Sequence, residues 1–211
     1  MIIIDVEIEK AIPPKPGEFR DPLIQYCEGW RDFKGMGITC VCTYNFHTHL
    51  SRVFLEEDLS DLQRFLADQP TSGFNTRRFD LPLLAEHGVQ VDQSKHYDIL
   101  ESIWIALKLD PDRFVPSTHG GWSLDSVCEG SFGLRKSGNG AMAPVWWQQG
   151  WRGRVIDYCL RDVWLEAYLL RHIVESGKVL NGRGNSVNPI VPLHLLFPAG
   201  KQPMEAVERA R

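Results

Sequence analysis

An α/β or α+β domain with a mixed sheet is predicted by three features of the chain. It opens on short apolar runs rich in β-branched residues. It then alternates segments of strand and helix period. Its main body closes with one long amphipathic helix. The first run, residues 2–8 of MIIIDVEIEK, predicts a central strand. It has no basic region ahead of its apolar stretch and meets an acid at once, so it reads as a strand and not as a signal peptide. The proline-rich segment 11–22 marks a loop. GITCVCTYNF (37–46) and SRVFL (51–55) predict two further strands, with HTHL short enough for a hairpin. In EEDLSDLQRFLADQ (56–69), Leu59, Leu62, Phe65 and Leu66 follow helical spacing, and the acids fall in the first turn, where the helix dipole favours them. TSGFN (71–75) predicts a short strand. FDLPLLAEHG (79–88) predicts a helix that tolerates Pro82 in its first turn and stops at Gly88.

A strand near HYDIL, a helix at about 101–108 and a helix capped by Ser123 and running to about 131 come next. Residues 133–153, rich in Gly, Trp and Gln, read as irregular. Residues 154–175 carry the clearest helical stripe, through Val155, Cys159, Val163 and Ala167. The glycine-rich stretch 177–189 reads as a loop. The apolar NPIVPLHLLFP segment is expected to pack back on the body or on a partner. The division expected is a main domain over 1–176 and a C-terminal extension over 177–211, the latter open to a homo-oligomer or protein partner.

Composition narrows the function classes. The 211 residues suit one domain, and 43% apolar with 24% charged content excludes a disordered chain. No run approaches the roughly 18 apolar residues that span a membrane. The five cysteines are odd in number and without CxxC spacing, so they read as reduced and the protein as cytoplasmic. Cys40 and Cys42 lie two apart and share one core face. The net charge of −4 advertises no basic field for nucleic acid. It does not exclude a nucleic-acid enzyme, because an acidic site becomes less so once cations bind.

Four acids carry the chemistry: Asp5, Glu7, Asp80 and Asp162, each set in strongly apolar sequence, with Tyr158 four residues before the last. Carboxylates are rarely buried without a partner, and four at one site repel unless cations neutralise them. An all-carboxylate set suits hard ions such as magnesium or manganese. Asp5 and Glu7, two apart on a strand, leave the same sheet face. Tyr158 and Asp162, four apart on a helix, stand one above the other. Asp80 falls at a strand-to-helix junction, a usual place for a ligand. Such a site can hold two metals about 3.5–4 Å apart, the arrangement that activates a water and stabilises a leaving oxygen in phosphodiester hydrolysis.

These residues carry a resemblance. IIIDVEIE resembles the first motif, Asp-x-Glu, of the DEDD superfamily of 3′–5′ exonucleases. GFNTRRFDLPLL is similar to the second, an Asn, a short spacer and Phe-Asp. YCLRD resembles the third, Tyr-x-x-x-Asp, of the tyrosine subclass (DnaQ-like, DEDDy). The resemblance covers about residues 1–176. It implies a ribonuclease-H-like α/β fold, a mixed five-stranded sheet flanked by α-helices. It also implies two magnesium or manganese ions held by Asp5, Glu7, Asp80 and Asp162, with Tyr158 orienting or helping to deprotonate the attacking water. A phenol titrates near pH 10, so orientation is the easier role to defend. The activity implied is removal of nucleotides from single-stranded 3′ ends, DNA ahead of RNA. An exoribonuclease and an inactive nucleic-acid-binding module are the alternatives. The candidate substrate-binding residues are Ile8, Asn75, Arg77, Arg78 and Phe79. Ile8 followed by Glu9 departs from the family's Thr or Ser after the Glu.

Weaker features complete the reading. Trp146, Trp147 and Trp151 either stack on bases of a single strand or anchor an irregular loop. His47 and His49 share a strand face, but no further residue has zinc-ligand spacing. Lys136 with Gly138-Asn139-Gly140 is not a P-loop.

Overall fold

Ile2, Ile3 and Ile4 begin the strand around which the molecule is built, β1 (Ile2–Ile8). The computed structural model describes residues 1–135 and 138–197. After β1 come α1 (Phe33–Met36), β2 (Ile38–Asn45), β3 (Ser51–Leu55), α2 (Leu59–Leu66), β4 (Thr71–Gly73), α3 (Asp80–Glu86), β5 (His96–Asp98), α4 (Ile99–Ala106), α5 (Pro116–His119), α6 (Leu124–Phe132), α7 (Ala143–Gln148), α8 (Arg152–Ser176), β6 (Val179–Leu180), β7 (Ser186–Val187) and α9 (Leu193–Leu196). The main sheet is ordered β3-β2-β1-β4-β5. β2 is antiparallel to β1 and β3, whereas β4 is parallel to β1 and β5 to β4. This is the ribonuclease-H-like α/β fold, a mixed five-stranded sheet with helices on both faces.

Strand alternation decides which face holds the chemistry. Ile2, Ile4, Val6 and Ile8 pack in one core with Leu62 of α2 and Leu83 and Leu84 of α3. Ile3 points the other way, into a core with Cys40 and Cys42 of β2 and Val155, Leu169 and Leu170 of α8. Asp5 and Glu7 follow Ile3 in the alternation and leave on the α8 face. Burial of each isoleucine is worth about 1.5–3 kcal/mol, and a one-residue slip would thrust both acids into the opposite core. The register is therefore strongly specified. It shifts once, between Glu7 and Ile8, where β1 ends beside the acids. Bulges of this kind re-aim side chains next to functional sites.

The structure departs from the sequence reading in four places. The stretch 133–153, expected to be irregular, contains α7, with Pro144 in its first turn where a missing N–H does no harm. Gln148 holds α7 in place. Its amide donates to the Glu9 carbonyl at 2.9 Å, and its Oε1 accepts from the Gln25 N–H at 2.7 Å. The helix expected from about residue 101 starts at Ile99, because the Asp98 side chain caps it. The stretch 177–189 contains the β6–β7 hairpin. Val179, Val187 and Leu196 lie in the α8-side core, and Ser131 of α6 donates its hydroxyl to the Leu180 carbonyl at 3.1 Å. The rest of the expected extension, 198–211, lies outside the described residues. His47 and His49 sit in the β2–β3 turn and not on a strand face, with His49 Nδ1 at 2.8 Å from the Tyr44 hydroxyl. No helix among the described residues is long and apolar enough to cross a membrane.

Candidate active site

The carboxylates of Asp5 and Glu7 lie side by side where β1 outruns its parallel neighbour. β4 pairs with β1 only at Ile2 and Ile3, so the later N–H groups on that edge need other acceptors. The first residue of α3 meets that need. Asp80 Oδ1 accepts from the Val6 N–H at 3.1 Å, which fastens the second-motif aspartate between the first-motif acids in sequence. Asp80 is 5% exposed. Burial pushes its carboxyl well above the usual carboxylate range, and the Asp5 charge pushes it further. Glu7 is also buried, while Asp5 is partly open. Asp80 is thus a buried acid set beside a second acid.

α8 lies across the same sheet face. The Cys159 thiol donates to the Asp5 carbonyl at 3.5 Å, and its sulfur lies within 4.8 Å of the Asp5 and Glu7 carboxylate oxygens. Two turns on, Glu166 Oε2 comes within 3.6 Å of the point a Cβ on Gly73 would occupy, and that point is 2.7 Å from the Ile4 carbonyl. Only glycine fits at the end of β4. Asp162 is bracketed between Cys159 and Glu166 on the same helical face, and it is 2% exposed. Tyr158, 3% exposed, packs edge-on against Trp146 with ring centroids 6.2 Å apart. A Cβ on Gly140 would stand 3.3 Å from the Tyr158 hydroxyl, so the Gly138–Gly140 segment is draped closely over the phenol. The role of these glycines was not legible as a motif; the close approach accounts for them. Glu166 is a further buried acid that the motifs do not include. Its position, eight residues after Tyr158 on one helical face, is the feature that would have found it.

The loop carrying the second motif is held by a residue the motifs also omit. Asp98, 3% exposed, caps α4 by accepting from the Leu100 and Glu101 N–H groups at 2.9 and 3.1 Å. It also accepts from the Asn75 and Arg77 N–H groups, both at 3.0 Å, and from the Thr76 hydroxyl at 3.4 Å. Asn75 has a φ of 65°, an unusual conformation for a side-chain-bearing residue, and these bonds hold it there. His96 bridges the Thr71 and Thr76 hydroxyls at 2.8 and 2.6 Å, and burial lowers its pKa to about 3, so it is neutral. In sequence, an Asp directly before Ile-Leu-Glu in HYDILE was available as a helix cap.

The candidate substrate-binding residues fall in different settings. Arg77 turns to the β5 edge, where it pairs with Glu101 at 2.8 Å and donates to the His96 carbonyl at 2.8 Å. Its guanidinium lines a cleft of about 820 Å³ whose walls include none of the four motif carboxylates. Arg78 lies over the Trp104 ring at 5.3 Å. Arg77 is thus engaged by an ion pair and a backbone carbonyl, while Arg78 has a ring contact only. Phe79 packs edge-on against Trp30 and Phe33, each at 6.2 Å, and Ile8 belongs to the core behind the sheet, opposite Asp5 and Glu7. Asn75 serves the loop through its N–H to Asp98. Trp146 is buried in the α8-side core with Arg154 over its ring at 3.9 Å, and Trp147 packs against that core. These two anchor the segment. Trp151 is 51% exposed.

No family model matches the chain, and no curated protein matches it. Among solved structures it is similar to the family B DNA polymerase from the hyperthermophilic archaeon Pyrobaculum calidifontis, with a TM-score of 0.51 and 17% identity over 82% of this chain and 24% of that one. The chain spans about a quarter of the polymerase's length, and at this identity the likeness is one of fold.

Proposed function

We propose that the protein is a metal-dependent 3′–5′ exonuclease that hydrolyses phosphodiester bonds at single-stranded DNA ends. The observation that supports this reading is an acid pair on the α8 face of β1, an aspartate at the start of α3 that accepts from the strand between those acids, and a buried Tyr158 and Asp162 on the helix that covers that face. The oxygen donors fit a hard divalent cation, and the raised Asp80 pKa reflects burial and acid crowding that a cation would relieve. Asp5, Glu7, Asp80 and Asp162 are the residues that would hold two such ions. Bound magnesium or manganese would supply the positive charge that makes water a nucleophile at neutral pH and stabilises the leaving oxygen.

The chain's own groups have distinct tasks. Asp80 spans from α3 to β1 and fixes the spacing between the two carboxylate-bearing elements. Tyr158, pressed between Trp146 and the Gly138–Gly140 segment, offers a hydroxyl in one orientation. That suits it to position the attacking water by a hydrogen bond. The polarity of attack and the choice of DNA rest on the motif resemblance and on the polymerase identity of the solved neighbour. A terminal base must leave its stack to enter a carboxylate-lined site, at a cost of a few kcal/mol, so unpaired ends should be cut faster than blunt duplex.

The test is digestion of matched 5′-labelled and 3′-labelled DNA and RNA strands with magnesium or with excess EDTA. The reading expects a ladder shortening from the 3′ end of DNA and no reaction in EDTA. Full activity in EDTA, cutting of a circular strand, or release of the 5′ label first would contradict it. Faster RNA cleavage would turn it to an exoribonuclease.

A further inference from the structure

The sheet face that carries the acids also carries two thiols, and a third reaches it from α8. Across the β1–β2 pair, Asp5 stands opposite Cys42 and Glu7 opposite Cys40. Directly paired residues point to the same face, so two acids and two thiols form a square on the α8 side. Cys159 of α8 closes over it. The sulfurs of Cys40, Cys42 and Cys159 all lie within 4.8 Å of one another, and Cys159 also belongs to the group formed with Asp5 and Glu7. All three cysteines are fully buried.

We propose that Cys40, Cys42 and Cys159 form a binding site for a thiophilic divalent ion, zinc or cadmium, contiguous with the carboxylate site and antagonistic to it. Metal–sulfur bonds of about 2.3 Å give sulfur–sulfur edges of about 3.8 Å in a tetrahedral site. The three sulfurs are already within about 1 Å of that spacing, from two rigid elements, so small side-chain shifts suffice. Soft thiolates select such ions over magnesium, which prefers the oxygens. Asp5, grouped with Glu7 and Cys159 and partly open, would supply the fourth ligand. Each thiol releases its proton to solvent as it binds. Drawing Asp5 toward the sulfurs removes it from the hard-ion set. The inhibitory half of the proposal rests on the exonuclease reading; the site itself does not.

The experiment is an ultraviolet titration of the metal-free full chain with cadmium, read by sulfur-to-cadmium charge-transfer absorption. One equivalent should saturate the band. Cys40→Ala combined with Cys42→Ala should abolish it, and Cys27→Ala, on the far side of the sheet, should keep it. A second readout uses wild type alone: cadmium should slow alkylation of Cys40, Cys42 and Cys159 in mild denaturant while leaving Cys27 unaffected. In magnesium-supported digestion, cadmium should inhibit wild type, and the double variant should need on the order of tenfold more cadmium for the same inhibition. No band, a band that survives the double variant, or uniform alkylation would overturn the site. A band with wild-type activity unaffected by cadmium would overturn the antagonism. A band on a protein that never cleaves DNA would leave the site standing and remove the exonuclease reading.

Discussion

Asp80 and Asp98 are the same residue type in nearly the same local setting, and they do opposite things. Asp98 ends the short parallel strand β5 and caps α4, Asp80 opens α3 after the loop that follows the short parallel strand β4, and each is buried. Burial pushes both carboxyls upward. Asp98 collects four backbone N–H groups and a hydroxyl, so its charge is answered inside the fold. Asp80 has the Val6 N–H and its own N–H and faces Asp5, and in the proposed function a bound cation would answer its charge. The contrast teaches that burial alone does not mark a functional acid. The number of donors aimed at it does.

The sharpest way to break the comparison is to neutralise each side. Asp80→Asn and Asp162→Asn should each lower hydrolysis by on the order of 10⁴-fold or more, as removal of members of a cooperating site does. Single-turnover digestion checks this, and near wild-type turnover in either variant would remove that residue from the ligand set. Tyr158→Phe keeps the ring against Trp146 and should lower kcat by about 10²–10⁴-fold with little change in KM. A change confined to KM would make Tyr158 a binding residue.

Asp98→Ala probes the other side. It strips acceptors from the Asn75, Arg77, Leu100 and Glu101 N–H groups at once and should cost roughly 3–5 kcal/mol in urea unfolding. A loss below about 1 kcal/mol would mean that water replaces the carboxylate and that the hub is ornamental. His96 gives a smaller effect with a definite sign. Its folded pKa of about 3 lies below the unfolded value near 6.5, so the unfolded chain binds the extra proton between those limits. Stability should fall as pH drops through that window, by roughly 2 kcal/mol from pH 7 to pH 5. His96→Gln should flatten this slope.

Much of this architecture was legible in the sequence because period and burial agree there. The isoleucines of β1, the hairpin strands and the α8 stripe each have one face or one run that only a single element satisfies. The burial of Glu7, Asp80 and Asp162 was legible for the same reason, since each stands in strongly apolar sequence. What escaped was set by contacts distant in sequence. α7 is hidden in a Gly-, Pro- and Trp-rich stretch and is held by Gln148 reaching Glu9 and Gln25. The ion pair of Arg77 with Glu101 and the stacking of Arg78 over Trp104 likewise depend on residues distant in sequence. Ile8 looked close to the acids along the chain, yet alternation puts it behind the sheet.

The most direct test of the account is thermal melting of wild type and Asp80→Asn with and without manganese. The smallest effect comes first. Without metal, Asp80→Asn keeps the acceptor for the Val6 N–H and loses only a charge beside Asp5. A raised carboxyl pKa destabilises the fold as pH climbs from the unfolded value near 3.9 through the folded one. The variant should therefore melt at or above wild type at neutral pH and match it in acid. Manganese should then raise the wild-type melting temperature and leave Asp80→Asn nearly unmoved. Equal manganese shifts in the two proteins, or none in either, would contradict the claim that these carboxylates are a metal site.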